Sequence, residues 1–197
     1  MSLSPSLHFG LGNAWLFMSI FILQMLAVRL TGQGAWQRTH LRGDFQRSQA
    51  DKIVSTVTSG AWWLALGYSI FLPLRPGTIF FIFGLFAFVA GTALLARATW
   101  DFIKAPAKLA IVKGAYAVSR HPMYVATFLI CLGAGFAAGS WLLVLLSVAM
   151  MLGFFREALL EERDCLARYG DAYRAYRDRT RRWFSLPRSK EVRRDLS

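Results

Sequence analysis

Apolar residues fill four long stretches of the chain, roughly Leu7–Leu30, Ile53–Leu74, Thr78–Ala96 and Pro122–Leu160, with charged residues gathered between them. Each of the first three fits one helix crossing a bilayer, which needs about 20 residues. The fourth is too long. A continuous helix over Pro122–Leu160 would reach about 58 Å, roughly twice the hydrocarbon thickness. Its middle, "GAGFAAGS" (Gly133–Ser140), holds three glycines and a candidate N-cap at Ser140. That break predicts two antiparallel helices joined near Gly139–Ser140, with Pro122 opening the first of them at N1. One long kinked helix with packing glycines is the competing reading.

Charge tests the count. The chain has 197 residues, a one-domain length, with 55% hydrophobic residues and a mean hydropathy of +0.40. Its formal charge of +12 would suit nucleic acid, but the basic residues sit in blocks between apolar runs, a membrane-protein pattern. Five fall in Arg29–Lys52, one at Arg75, five in Arg97–Arg120 and twelve from Arg156 onward. Five spans place 22 of the 23 basic residues on one face, which the positive-inside rule makes cytoplasmic. Four spans would put the twelve C-terminal basic residues opposite the Arg97–Arg120 block. The expectation is an all-α integral membrane protein with five transmembrane helices, the last two a hairpin. Its N-terminus lies outside and its C-terminus inside, in an inner or plasma membrane, with no nucleic-acid partner. The N-terminus lacks a positive n-region and a cleavage site, so the first apolar run reads as retained. Cys131 and Cys165 lie far apart and show no metal-ligand spacing.

After the last span, Leu159, Leu166, Tyr169, Tyr173 and Tyr176 recur at helical intervals among charges. This predicts an amphipathic cytoplasmic C-terminal tail lying on the membrane surface, with a stop and restart at Gly170–Asp171. The loop Leu30–Lys52 reads as a solvated basic segment, or as a cover for a site.

The hairpin returns the chain to the side it left. Arg120–His121 and Glu161–Glu162, 40 residues apart, therefore emerge at the same boundary. A pocket of cations, carboxylates and a tyrosine there suits a ligand carrying both charge signs and hydroxyls, beside a second ligand from the bilayer. Each residue also has a plain structural reading. Arg120 can be a positive-inside anchor, Glu161 and Glu162 counter-charges to Arg156 and Arg163, and Tyr116 and Tyr124 interfacial tyrosines.

"KGAYAVSRHPMYVA", the apolar hairpin, then "FFREALLEERDCLARYGDAYRAYRDRTRRW" together resemble the isoprenylcysteine carboxyl methyltransferase family. More broadly they resemble the superfamily that also holds phospholipid N-methyltransferases and methanethiol S-methyltransferases. The likeness covers about Asp101 to Trp183 and rests on an ordered set: G-x-Y, R-H-P-x-Y, F-F-R, E-E and Y-G-x-x-Y-x-x-Y. It implies a membrane enzyme using S-adenosyl-L-methionine at the cytoplasmic face. Carried over by position, the cofactor contacts fall on Lys108, Leu109, Ala110 and Ile111, on Tyr116, and on Arg120, His121, Pro122, Met123, Tyr124 and Glu162. Cationic or N–H groups near His121 would hold the methionine carboxylate. Glu162 would accept from ribose hydroxyls or the ammonium, and a tyrosine would meet adenine or sulfonium. Residues 1–100 would form the acceptor side, 101–184 the cofactor region and 185–197 a basic tail.

The resemblance departs at two places. The prenylcysteine enzymes carry F-F-R-x-R, whose second arginine serves the substrate, and here that position is Ala158. Ala126 replaces a glycine common after R-H-P-x-Y-x. The acceptor, a lipophilic or lipidated molecule entering from the bilayer among membrane lipids, thus stays open between carboxylate, thiol and amine. A carboxylate needs only a cation such as Arg156 to orient it. A thiol or amine gains from a base such as Glu161 or Glu157. Arg156 and Glu161 are the catalytic candidates. Two other classes compete: an NADPH-dependent sterol-reductase-like enzyme, and a non-catalytic membrane protein binding lipid or nucleotide.

Overall fold

The computed structural model describes residues 1–31, 47–106 and 109–184. Lys108, most of the Leu30–Lys52 loop and the 185–197 tail lie outside the described residues. Within them the fold is helical: α1 (Trp15–Thr31, its bonding interrupted at Ser19), α2 (Gln49–Ile70), α3 (Ile79–Lys104), α4 (Ala115–Val118), α5 (Pro122–Ala138) and α6 (Trp141–Arg179). No strand forms among the described residues, where only isolated bridges occur.

Local chemistry explains the boundaries. Ser48 and Asp51 form a reciprocal capping box that starts α2, and Thr78 accepts the Phe81 N–H at 3.1 Å to start α3. Pro122 takes the first turn of α5. The long apolar run then breaks where its length demanded. Gly139 adopts φ +66°, the left-handed C-cap conformation, and the Ser140 hydroxyl accepts the Leu143 N–H at 3.3 Å to start α6. The single kinked helix is therefore excluded.

Helices α3 and α5 approach backbone to backbone. A Cβ added at Gly84 would lie 2.4 Å from the Ala137 nitrogen, and one at Gly133 would lie 2.7 Å from the Gly84 oxygen. Such contact suits an apolar medium, where close packing of small residues replaces hydrophobic driving force. The interior seam of Ala126, Ile130, Ala134, Ala137 and Leu143 is fully buried. The outside is the more apolar surface: Phe83 is 61% exposed, Phe86 76% and Leu152 72%. A soluble domain would not present rows of such side chains, whereas a lipid-facing surface would. Among the described residues, α3 and α6 are long and apolar enough to cross a membrane, and α1 and α5 are apolar but shorter. α2 mixes its apolar residues with serines and threonines.

The tail differs from expectation. Gly170, at φ +54°, interrupts α6 as the sequence predicted. The segment beyond it swings back over the base of the hairpin, so Tyr173 and Tyr176 are buried against protein. Its arginines Arg174, Arg177 and Arg179 stay exposed. The apolar face of the tail finds a partner within the chain, which removes the reason for it to lie on lipid.

Candidate active site

At the end of the bundle opposite Gly139, the base of α5 and the middle of α6 meet through charge. Glu162 is buried and its carboxylate is fully engaged. Oε1 accepts from Arg120 Nη2 at 3.0 Å, His121 Nε2 at 3.2 Å and Arg182 Nε at 2.7 Å, and Oε2 accepts from Arg182 Nη2 at 3.0 Å. Its neighbour Glu161 accepts the Tyr124 hydroxyl at 2.6 Å and lies 3.4 Å from His121 Nδ1. Both nitrogens of the His121 ring thus face carboxylates, the arrangement of an imidazolium with two donors.

The electrostatics follow. Burial works to raise the Glu162 pKa, but hydrogen bonds from His121 and Arg182 and the charges of Arg120 and Arg182 outweigh it and hold the group at about 2. Burial likewise opposes the charged form of His121, and the hydrogen bonds and charges of Glu161 and Glu162 overcome it, raising its pKa. Both members of the pair are stabilised in their charged forms.

The chain's last described segment straps this cluster in place. Arg120 N–H donates to the Arg181 carbonyl at 3.1 Å, His121 N–H to the Arg182 carbonyl at 3.3 Å, and the Ser119 hydroxyl to the Arg182 carbonyl at 3.0 Å. Arg120 Nη1 reaches the Arg177 carbonyl at 2.9 Å. On the other side Asp101, at the end of α3, accepts the Ala115 N–H at 2.7 Å and fixes the short α4. The carbonyl of Tyr116 then accepts the Tyr176 hydroxyl at 2.6 Å.

These elements enclose a cavity of about 400 Å³. Of the expected cofactor residues, Leu109, Ala110, Ile111, Tyr116, Arg120, His121, Pro122, Met123 and Tyr124 line it, and so does Glu161. Lys108 lies outside the described residues. Glu162 stands behind the wall, bonded to residues that line it. Arg156 lines neither this cavity nor the one beside it; it grips Asp51 Oδ1 through Nε and Nη2, each at 2.7 Å. Residues that the sequence reading did not name as site members also line the cavity: Arg47, Phe102, Asp164, Cys165, Arg168, Tyr169, Tyr173 and Tyr176. For the three tyrosines the signal was present in Y-G-x-x-Y-x-x-Y, read there as a membrane-facing stripe. Burial pushes the Cys165 thiol up to about 11, so it stays protonated.

A helical bundle with an apolar exterior, and a cavity walled by both charge signs where the base of α5 meets the middle of α6, is the form of a membrane protein with a site for a charged ligand. The model of the phospholipid methyltransferase family matches residues 74–172, half of the chain, running from the turn before α3 to just past Gly170. The chain belongs to that family, and is an S-adenosylmethionine-dependent methyltransferase. No curated protein sequence matches it beyond chance. Family membership decides for methyl transfer over the reductase and the non-catalytic alternatives, and the isoprenylcysteine branch in particular is not what the match shows.

The residues present fit S-adenosylmethionine. The Arg120 side chain is 9% exposed, and its buried Nε has no hydrogen-bond partner, a donor lacking its acceptor. Arg120 and Arg168 supply positive charge to the cavity wall, Glu161 and Asp164 negative charge, and Tyr116, Tyr169 and Tyr173 aromatic surface. A methionine carboxylate and ammonium, ribose hydroxyls, adenine and a sulfonium call for this set.

Proposed function

We propose that this methyltransferase binds its cofactor in the cavity at the base of the α5–α6 hairpin and methylates a lipophilic acceptor that enters from the bilayer. The observation that carries this is a cavity of about 400 Å³ whose wall brings Arg120 and Arg168 together with Glu161, Asp164 and tyrosine rings. The cofactor supplies an activated methyl group. The chain's residues supply alignment, the main requirement of an in-line displacement. Arg120 takes the carboxylate end while His121 orients Glu161 beside it, Glu161 and Asp164 take the ammonium or ribose hydroxyls, and Tyr116 or Tyr124 the sulfonium or adenine face. Glu162 acts through Arg120 and His121 as a positioning residue, and Arg156 ties α6 to the first turn of α2. The whole works as a five-span protein whose cavity opens to the cytoplasm, because that topology puts 22 of 23 basic residues on the cavity's side.

Calorimetry of the purified protein with S-adenosylhomocysteine and with NADPH tests the reading. S-adenosylhomocysteine is expected to bind and NADPH is not. His121→Ala and Glu162→Gln each weaken the S-adenosylhomocysteine affinity by about tenfold, the scale of one charge-assisted hydrogen bond. Unchanged affinity in both variants removes this cavity from the reaction.

A further inference from the structure

Glu162 serves its three basic neighbours unequally. Arg182 takes both carboxylate oxygens, Nε to Oε1 at 2.7 Å and Nη2 to Oε2 at 3.0 Å, the fork of a bidentate pair. Arg120 and His121 share the single oxygen Oε1, at 3.0 Å and 3.2 Å. We infer that Arg182 is a positioning residue for the cofactor: by committing Glu162 to itself, it leaves the Arg120 guanidinium for the carboxylate of the ligand. This inference rests on the proposed placement of that carboxylate at Arg120.

Arg182 acts from behind the wall. Arg120 and His121 line the cavity and Arg182 does not, so its route to a ligand runs through Glu162. The backbone brings it there. Thr180, buried, closes α6, and the chain then crosses the entry to α5, where the N–H groups of Arg120 and His121 have no preceding turn to accept them. The carbonyls of Arg181 and Arg182 accept these at 3.1 Å and 3.3 Å. Arg120 and His121 are thus bonded to the strap through their backbones and to Glu162 through their side chains.

The Arg182 fork is held on its face as well as its edge. Its guanidinium carbon lies 5.0 Å from the centroid of the Phe155 ring, and the Trp183 ring stands 6.1 Å from Phe155 and 6.0 Å from His121. A lysine at this position would keep the charge but not the planar grip on two oxygens.

The result is a division of charge. Without Arg182, Oε2 loses that donor in a buried site, where an unmet carboxylate oxygen is costly. Arg120, whose side chain is 9% exposed and already 3.0 Å from Oε1, is the guanidinium at hand to replace it. Arg120 then closes on Glu162, and its charge is withdrawn from the cavity wall.

The test is calorimetry on the full chain in detergent micelles with two ligands, S-adenosylhomocysteine and its decarboxylated analogue. The analogue keeps the adenosine and the amine and lacks only the carboxylate. The unaltered protein is expected to prefer S-adenosylhomocysteine by about tenfold or more. Arg182→Gln lowers the S-adenosylhomocysteine affinity about tenfold and leaves that of the analogue within about twofold, so the preference is lost. Arg182→Lys retains part of it, losing about threefold. In Arg182→Gln/Glu162→Gln the carboxylate that would capture Arg120 is also gone, and the loss stays at about tenfold rather than the roughly hundredfold of two independent changes. Because the analogue reports the fold and the rest of the cavity, equal losses for both ligands in Arg182→Gln would make the residue a support of the fold and overturn the inference. So would an unmoved S-adenosylhomocysteine affinity in that variant, or a roughly hundredfold loss in the double variant. An unaltered protein that binds both ligands alike strikes the placement of the carboxylate at Arg120, and the inference falls with it.

Discussion

At the Gly139 end of the α5–α6 hairpin the chain is held by proximity; at the His121 end it is held by charge. Near Gly139, Gly84 meets Ala137 backbone to backbone, Ser2 N–H donates to the Gly139 carbonyl at 3.0 Å, and Arg75 N–H donates to the Ala137 carbonyl at 3.0 Å. Near His121, Glu162 gathers Arg120, His121 and Arg182. The first end is held by backbone contacts within the bundle, although the buried Ser2 hydroxyl there lacks a partner among the described residues. The second concentrates charge on few atoms and leaves Arg120 Nε without a partner. Charge gathered beside a cavity, rather than a missing hydrogen bond, is what sets the His121 end apart.

The sharpest way to break the contrast is to spoil the tight end. Gly84→Val forces α3 from α5 and is expected to cost ~4 kcal/mol, near the upper limit for a point change. Unfolding by titrating a denaturing detergent into mixed micelles would measure it. A small loss would mean that the backbone contact is not what holds these helices.

The charged end predicts a smaller effect with a distinctive pH signature. Glu162→Ala strands Arg120 and His121 and is expected to cost about 3 kcal/mol. In the unaltered protein the Glu162 pKa falls from 4.5 to about 2, so its stabilisation is present above pH 4.5 and is lost as pH drops toward 2. The His121 pKa is raised above 6.5, so its contribution is present below that pH and is lost as pH rises through the folded value. Tm should therefore peak between roughly pH 4.5 and 6.5 on account of this cluster, and His121→Gln should flatten the alkaline limb and also weaken the acid one, because it removes a hydrogen bond that lowers the Glu162 pKa. An alkaline limb that survives His121→Gln belongs to another group.

The smallest effect returns to the tight end. Ser140→Ala removes the N-cap of α6 and is expected to cost ~1 kcal/mol with no change in S-adenosylhomocysteine affinity. A change in affinity would show that the two ends communicate.

Much of this was legible in the residues. The 39 residues of Pro122–Leu160 could not cross a membrane once, and the glycines and Ser140 said where they turn. That turn made neighbours of Arg120–His121 and Glu161–Glu162, and the order of motifs named the chemistry. The tail was harder to read, because a stripe of tyrosines looks the same whether its partner is lipid or protein. Arg47, at the end of a basic loop, carried no local signal at all.

What the sequence determined alone was spacing, and with it the hairpin, the elements that meet and the chemical kinds present. Direction came only with tertiary structure. Successive helix residues point about 100° apart, so spacing alone does not say which of Glu161 and Glu162 faces the cavity. The packing of α6 against α2 and α5 sets its rotation, which turns Glu161 into the cavity and Glu162 into the cluster behind it. The same rotation gives Arg156 to Asp51 and Glu157 to the second cavity. A sequence fixes these side chains relative to one another along the helix, but only neighbouring helices fix which of them meets a ligand.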